Sequence, residues 1–220
     1  MLRGDQGMYR LFYYPGNANL APHMLLEEIG APYELVLVDR AQNAHKSADY
    51  MKLNPMGRIP TLVDGDLVIS ETAAICLHLA DRHPEAKLAP ALGSAERGRF
   101  YSWLMYLTNT VQAELIFYFY PEKIAGNEAS RAEIKASEEA RVGGMFDTIE
   151  TTLAEHGGPY LLGQHYTILD PYLLMLGRWT RGMKRPARTL PHVGAFMTRM
   201  LDRPAVKRAF DQEGLKAPLV

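Results

Sequence analysis

The sequence predicts a small α/β domain followed by an all-helical domain, and three observations carry that reading. The β-favouring runs, at 9–14, 35–38 and 62–69, all fall before residue 84. Residues 84–94 then hold two prolines and a glycine, the composition of a linker. Beyond them apolar residues recur at helical spacing, no comparable strand signal returns, and no internal repeat is present. The boundaries drawn are 8–84 for the first domain, 85–94 for the linker and 95–220 for the second domain. A chain of 220 residues has the length for two such domains, each with its own core.

In chain order, residues 1–7 show no periodicity and read as an unstructured lead. Tyr9 to Tyr14 is a strand rich in aromatics and leucine. Residues 15–19 form a loop, and a helix runs through Glu28 until Gly30 closes it. Pro22 falls in its first turn, where a missing N–H costs nothing. Leu35 to Val38 is an unbroken apolar run, suited to a strand buried on both faces. Strand, helix and strand of this size make a βαβ unit, so the first two strands should be parallel. Asp49 to Leu53 is a short helix that ends at Asn54 and Pro55.

Residues 54–76 are the most informative stretch. Leu62 and Val63 face Leu67, Val68 and Ile69 across Asp64-Gly65, a strong hairpin turn signal. Ser70 offers an N-cap oxygen to a helix from about Glu71 to Arg82. The order is βαβ-ββα. Just upstream, Pro60 opens a strand, and X-Pro is the common site of a cis bond. A cis Ile59-Pro60 bond would turn the Ile59 N–H and C=O outward, able to pair with an extended peptide as an added strand.

In the second domain, Phe100, Trp103, Leu104, Leu107, Val111, Leu115 and Tyr118 mark a helix that Pro121 stops. Ile134, Val142, Met145, Ile149 and Leu153 mark a second long helix despite Gly143-Gly144 at its middle. Thr167 and Asp170 form a capping-box variant that opens a third helix. Residues 192–201 and 204–212 read as shorter helices.

The pattern of Ile59-Pro60, a hairpin, then Glu71-Thr72 with Ala74-Ile75 resembles the glutathione-binding half of the glutathione transferase family. With the helical domain behind it, the resemblance spans nearly the whole chain. It implies a thioredoxin-like first domain, an all-helical second domain, glutathione as co-substrate and a homodimer. It also implies that Ile59, before Pro60, pairs with the cysteinyl backbone of glutathione, and that Glu71 and Thr72 hold the γ-glutamyl group. The chemistry agrees. The γ-glutamyl ammonium wants a carboxylate, and its carboxylate wants a hydroxyl and the free N–H groups of a helix N-terminus. Thr167 and Asp170 match the family's structural cap in its last core helix.

A transferase must turn a thiol into a thiolate, lowering its pKa by roughly two units, or about 3 kcal/mol. Family members use tyrosine, serine or cysteine where the first loop meets the first helix. This chain offers Asn17, Ala18 and Asn19. Asn17 takes the place of the serine in serine-type insect classes. Ala18 falls where the bacterial beta class has its cysteine, although 20–23 otherwise read like that class; the beta-class histidine is likewise replaced, by Ile116. Asparagine donates through its side-chain NH₂ and cannot act as a base, so the expected mechanism stabilises the thiolate without a side-chain base. Asn17 is the first candidate donor and Asn19 the second, Asn19 alternatively being the helix N-cap. Tyr13 and Tyr14 lie near enough to be alternatives, on opposite faces of one strand.

For the glycyl carboxylate, His45 matches the histidine of the serine-type insect classes, with Arg58 a second candidate and Lys52 a weaker one. Tyr106, Thr110, Phe117, Tyr118 and Tyr120 form an aromatic-rich stripe that would line the pocket of a small hydrophobic electrophile, expected between the domains. The same thiolate could serve peroxide reduction or isomerisation, and a non-catalytic glutathione-binding module is the remaining alternative.

Other classes are excluded by composition. With 24 basic and 25 acidic residues the net charge is −1, so no global field recruits nucleic acid or an anionic membrane. The local basic group of Arg178, Arg181, Lys184, Arg185 and Arg188 reads as a helix end or subunit contact. The single cysteine, Cys76, allows no internal disulfide and sits at apolar spacing as a buried small hydrophobe. The seven histidines show no metal-ligand spacing. No signal peptide or membrane-spanning run appears, and the expected location is cytoplasmic.

Overall fold

The computed structural model describes residues 7–220, so the lead expected at 1–7 lies, but for Gly7, outside the described residues. The first compact unit is built on a four-stranded sheet in the order β2-β1-β3-β4. β1 (Tyr9–Tyr13) pairs in parallel with β2 (Tyr33–Leu37) and antiparallel with β3 (Thr61–Asp64), and β3 pairs antiparallel with β4 (Leu67–Ser70). Helix α1 (Leu20–Ile29) is the crossover between β1 and β2 and ends on Gly30, whose φ of 72° is the left-handed cap that glycine adopts without strain. Helix α2 (Ala48–Leu53) precedes the Pro60 loop, and α3 (Thr72–Arg82) follows the hairpin.

Two local expectations are corrected. β2 is an edge strand paired with β1 alone, and its Leu37 is 56% exposed on a face that the chain leaves open. Its apolar run therefore does not mean burial on both faces. Ser70 is not the cap of α3: it is the last residue of β4, paired with Thr61, and Glu71 stands at the N-cap position without a side-chain cap bond.

The second unit is helical. Helix α4 (Ala95–Met105) passes through a π-helical stretch at Tyr106–Gln112 into α5 (Ala113–Phe119). Helix α6 (Glu128–His156) is followed by α7 (Leu169–Trp179) and α8 (Pro191–Asp202). The wide π turn keeps Leu107 and Val111 on the buried face with Leu104 and Leu115, so one apolar stripe survives the change of pitch. Half of the expected capping box is present: the buried Asp170 carboxylate accepts from Thr167 N at 2.7 Å and Leu161 N at 2.9 Å, whereas Thr167 Oγ1 accepts from Leu169 N at 3.3 Å in place of Asp170 N.

The expectation placed all of 95–220 in the helical domain. In the structure α9 (Pro204–Gln212) and the residues around it, Arg203–Lys216, pack with the first unit, while Ala89–Asp202 and Ala217–Val220 make the second. The physical reason is α9's buried face of Ala205, Val206, Ala209 and Phe210, together with ion pairs from Arg203 to Glu28 and from Arg208 to Glu27 on α1.

One carboxylate pair in the second unit sets a pH dependence. Glu138 on α6 and Glu114 on α5 share Arg141: its Nη2 bonds Glu114, and its Nε lies 3.6 Å from Glu138 Oε2. Burial, then the Glu114 carboxylate, pushes Glu138 up to about 7 from the usual 4.5. The folded chain thus keeps a proton that the unfolded chain has released, so stability falls as pH rises between these two values. Glu138→Gln is expected to gain about 1–2 kcal/mol near pH 8 and almost nothing near pH 4. Urea unfolding at the two pH values reads this, and an equal effect at both would refute it.

Candidate active site

The site lies where the carboxyl ends of the two parallel strands leave the sheet. β1 runs into Tyr14 and the turn at Pro15–Asn17, closed by Asn17 N donating to Tyr14 O at 3.1 Å. Gly16 takes a φ of 69° in that turn. The chain then enters α1, leaving the amides of Ala18 and Asn19 without a partner among the described residues. Free N–H groups at a helix N-terminus favour an anion.

The two asparagines have different surroundings. Asn17 is partly exposed; its Nδ2 donates to Pro15 O at 3.2 Å and its Oδ1 accepts from Arg40 Nη1. Asn19 is fully buried, with Oδ1 accepting from Tyr14 N at 3.2 Å and Nδ2 donating to Glu213 Oε1 at 2.8 Å. It occupies the N-cap position of α1, yet its side chain makes no cap bond. Burial, reinforced by the Glu213 charge, raises the Tyr13 phenol, which disfavours its ionised form.

Glu213 had no place in the sequence reading. Its carboxylate accepts from Gly16 N at 2.7 Å, Asn19 Nδ2 at 2.8 Å and His23 Nδ1 at 2.7 Å. The far ring nitrogen of His23 lies 2.7 Å from Gln212 Oε1 and 3.1 Å from Tyr33 OH. The C-terminal end of α9 therefore fastens the 14–19 loop from 197 residues away in sequence. Nothing local in the sequence marks it.

On the other side, Ile59-Pro60 is cis, as expected, and the Ile59 N–H and C=O have no partner among the described residues. That is the free backbone edge that an extended peptide needs. Tyr50 and Asn54 hold the loop, donating to Arg58 O at 2.6 and 2.8 Å. Glu71 is exposed with φ 70°, a left-handed conformation uncommon for glutamate and therefore worth a functional reading. Thr72 is buried, and its hydroxyl donates to Ala18 O at 3.1 Å, joining the start of α3 to the start of α1.

His45 stands in a short 3₁₀ turn at Ala44–Lys46, with Nδ1 buried and unpaired. Desolvation, then the charges of Arg40 and Lys46, lowers it from the ordinary histidine value. Arg58 is exposed, and Lys52 pairs with Asp49 at 2.7 Å. Cys76 is fully buried, and burial pushes its thiol up, away from nucleophilic use. Of the aromatic stripe in the second unit, Tyr118 is core, whereas Tyr106, Thr110, Phe117 and Tyr120 are half-buried. The basic group there is used locally: Arg185 pairs with Asp147 at 2.6 Å, and Arg181 and Arg188 donate to backbone carbonyls. No metal-ligating cluster occurs among the described residues, and no helix among them is long and apolar enough to cross a membrane.

Comparison with known proteins agrees with this geometry. Residues 8–81 match the family model for the glutathione S-transferase N-terminal domain and residues 111–212 that for a C-terminal domain. Glutathione S-transferase GstA of Escherichia coli O157:H7 is 32% identical over 209 residues, covering 94% of this chain and 100% of that protein. A glutathione transferase homologue from Sulfitobacter, solved with bound glutathione, superposes with a TM-score of 0.85 at 28% identity, covering 93% and 98% of the two chains. A sphingomonad glutathione S-transferase complexed with glutathione gives 0.82 at 32%, covering 94% and 100%. With a thioredoxin-like first domain, a helical second domain and matches along nearly its full length, the chain belongs to the glutathione S-transferase family.

Proposed function

We propose that this enzyme conjugates the glutathione thiolate to hydrophobic electrophiles, with the Asn17 amide and the N-terminus of α1 holding the thiolate. Glutathione is the co-substrate, as the family and the glutathione-bound neighbours support. Its cysteinyl backbone pairs with the free N–H and C=O of Ile59 beside Pro60. Its γ-glutamyl ammonium meets Glu71, and the carboxylate of the same group takes the α3 N-terminus at Thr72. His45 and Arg58 serve the glycyl carboxylate.

The observation that carries the mechanism is the state of Asn17. It is the partly exposed asparagine, its Nδ2 keeping one N–H beyond the bond to Pro15 O, beside two unpartnered backbone amides, whereas Asn19 is fully buried with its carboxamide on Tyr14 and Glu213. Asn19 is therefore read as holding the loop in shape. Neither side chain can take a proton, so the thiol proton leaves to solvent while the donors stabilise the sulfur anion. The thiolate then attacks the electrophilic carbon, and the C–S bond forms as the bond to the leaving group breaks and that group departs with the electron pair, or, on an activated double bond, as the π bond breaks and the resulting carbanion takes a proton from solvent. The electrophile site is assigned to the half-buried aromatic stripe of the second unit, and the exposed Leu67 and Val68 of β4 suit the contact of a homodimer.

Titration of the thiolate ultraviolet band of bound glutathione tests the reading. Wild type is expected to hold the thiol about two pKa units below its free value, and Asn17→Ala to lose one or more of them. kcat/KM near neutral pH should fall about 10- to 100-fold in step. A shift that survives the substitution removes Asn17 from the role, and binding with no shift in wild type leaves a binding module instead of a transferase.

A further inference from the structure

We propose that Arg40 is a positioning residue for thiolate formation: its guanidinium fixes the Asn17 carboxamide with its NH₂ available to the sulfur, and polarises that amide. The proposal rests on the reading of Asn17 as the thiolate donor. Its starting point is topology. β1 and β2 are parallel with Tyr13 opposite Leu37, and Val38 N extends the pairing by donating to Tyr13 O at 2.8 Å. Parallel strands deliver their carboxyl ends to one edge, so the loop after β1 and the loop after β2 emerge side by side. The second loop is set by Asp39, whose Oδ1 accepts from Ala41 N at 2.9 Å while its carbonyl accepts from Ala44 N at 2.9 Å. Arg40 opens this turn, and its Nη1 donates to Asn17 Oδ1.

That contact decides which way the amide faces. With Oδ1 on the guanidinium, Nδ2 lies on Pro15 O, a carbonyl that can only accept. The flipped amide would set NH₂ against guanidinium N–H groups and C=O against C=O, two repulsive contacts at once. Without Arg40 the remaining tether is one 3.2 Å bond to Pro15 O, and rotation could present Oδ1 to the sulfur. An oxygen there repels a thiolate. Arginine stays charged at any working pH, so the restraint does not titrate away. A cation on Oδ1 also draws electron density from the amide nitrogen and strengthens the Nδ2–H donors, as in hydrogen-bond chains generally. The charge of Arg40 also reaches His45, one of the causes of that histidine's lowered pKa, which places its field in the same corner of the site.

The test is a double-substitution cycle of wild type, Asn17→Ala, Arg40→Met and the double variant, with Arg40→Lys alongside. Two quantities are read: the thiol pKa of bound glutathione, and the Kd of S-methylglutathione, which has no thiol to ionise. Thermal melting confirms that each variant is folded. Arg40→Met is expected to raise the bound thiol pKa by about one unit, a tenfold loss of thiolate near neutrality. The S-methylglutathione Kd should stay within about twofold. Arg40→Lys should restore part of the shift, and Arg40→Met should add nothing once Asn17 is alanine.

If Asn17→Ala raises the pKa while Arg40→Met leaves it at the wild-type value, the proposal fails and the Asn17 reading stands. If Asn17→Ala changes nothing, the reading fails and takes the proposal with it. An undiminished Arg40→Met effect in the Asn17→Ala background would mean direct action on the sulfur and overturn the positioning role. So would weaker S-methylglutathione binding at an unchanged thiol pKa, which would make Arg40 a binding residue.

Discussion

Glu213→Ala is expected to destabilise the protein by about 3–5 kcal/mol and to abolish most of the thiol activation. Three donors converge on this one buried carboxylate, from Gly16, Asn19 and His23. Alanine leaves all three without this acceptor, two of them on the fully buried Asn19 and His23, and each unmet buried donor costs roughly 1–3 kcal/mol. Relaxation of the loop recovers part of the sum, and that relaxation is what harms function. Gly16 and Asn19 flank Asn17, so a loop released from α9 no longer presents the amide to the sulfur. Glu213→Gln separates the two effects. Its oxygen can still face Asn19 and His23, but its NH₂ then meets Gly16 N–H, leaving one repulsive contact. An intermediate loss of about 1–2 kcal/mol with a partial thiol shift is expected. Denaturant midpoints with the thiolate titration measure both. A Glu213→Ala variant as stable as wild type would show that the carboxylate does not hold the loop.

The difference between what could and could not be read from the sequence follows from contact range. The hairpin, the cis bond at Ile59-Pro60 and the Gly30 cap are each set by a few adjacent residues, and the structure has all three, with the turn one residue later than the Asp64-Gly65 signal, at Gly65-Asp66, because Asp64 pairs with Leu67. The half of the capping box that Asp170 makes with Thr167 N is of the same kind. Apolar spacing located α6 through Gly143-Gly144 for a similar reason: one buried stripe of Val142, Phe146, Ile149 and Leu153 outweighs the propensity of two residues. Burial of β2 was not legible, because Leu35 to Val38 reads the same at an edge as in the centre, and strand order is a property of the sheet.

The site divides along the same line. Asn17, Ile59, Glu71 and Thr72 lie in local motifs, and Thr72 joins the start of α3 to the start of α1. Arg40 meets Asn17 only through the parallel register of β1 and β2, and Glu213 reaches Gly16 only because α9 packs on the first unit. Helical spacing at 204–212 announces a helix without saying which unit it joins. Asn19 shows the limit in a single residue: its type and place suited a helix cap, but its Oδ1 accepts from Tyr14 N while its Nδ2 donates to the buried Glu213 carboxylate.

Asp170→Ala is the second large effect, with an expected loss of about 3–5 kcal/mol and little direct change at the glutathione site. The carboxylate is fully buried at the start of α7, a helix whose residues from Leu169 to Arg178 are all buried. Its Oδ2 accepts from Thr167 N and its Oδ1 from Leu161 N, so it closes the first turn and also pins the 161–167 loop to it. The negative charge at the helix N-terminus adds to the hydrogen bonds. A central helix cannot be re-solvated at one end without opening the packing around it, so the loss should appear as a lower denaturant midpoint of the helical unit. Asp170→Asn keeps the shape but turns an NH₂ toward one of the two N–H donors, and should lose about half as much. Thr167→Val removes the 3.3 Å bond from Leu169 N and the long 3.5 Å bond from its own hydroxyl to Asp170 Oδ2, leaves one backbone donor unmet, and should cost about 1 kcal/mol. The order Ala, Asn, then Val at 167 follows from counting unmet donors. If Asp170→Asn were as damaging as Asp170→Ala, the charge at the helix terminus would matter more than the satisfied donors. If all three variants matched wild type, the capping box would be dispensable to the fold.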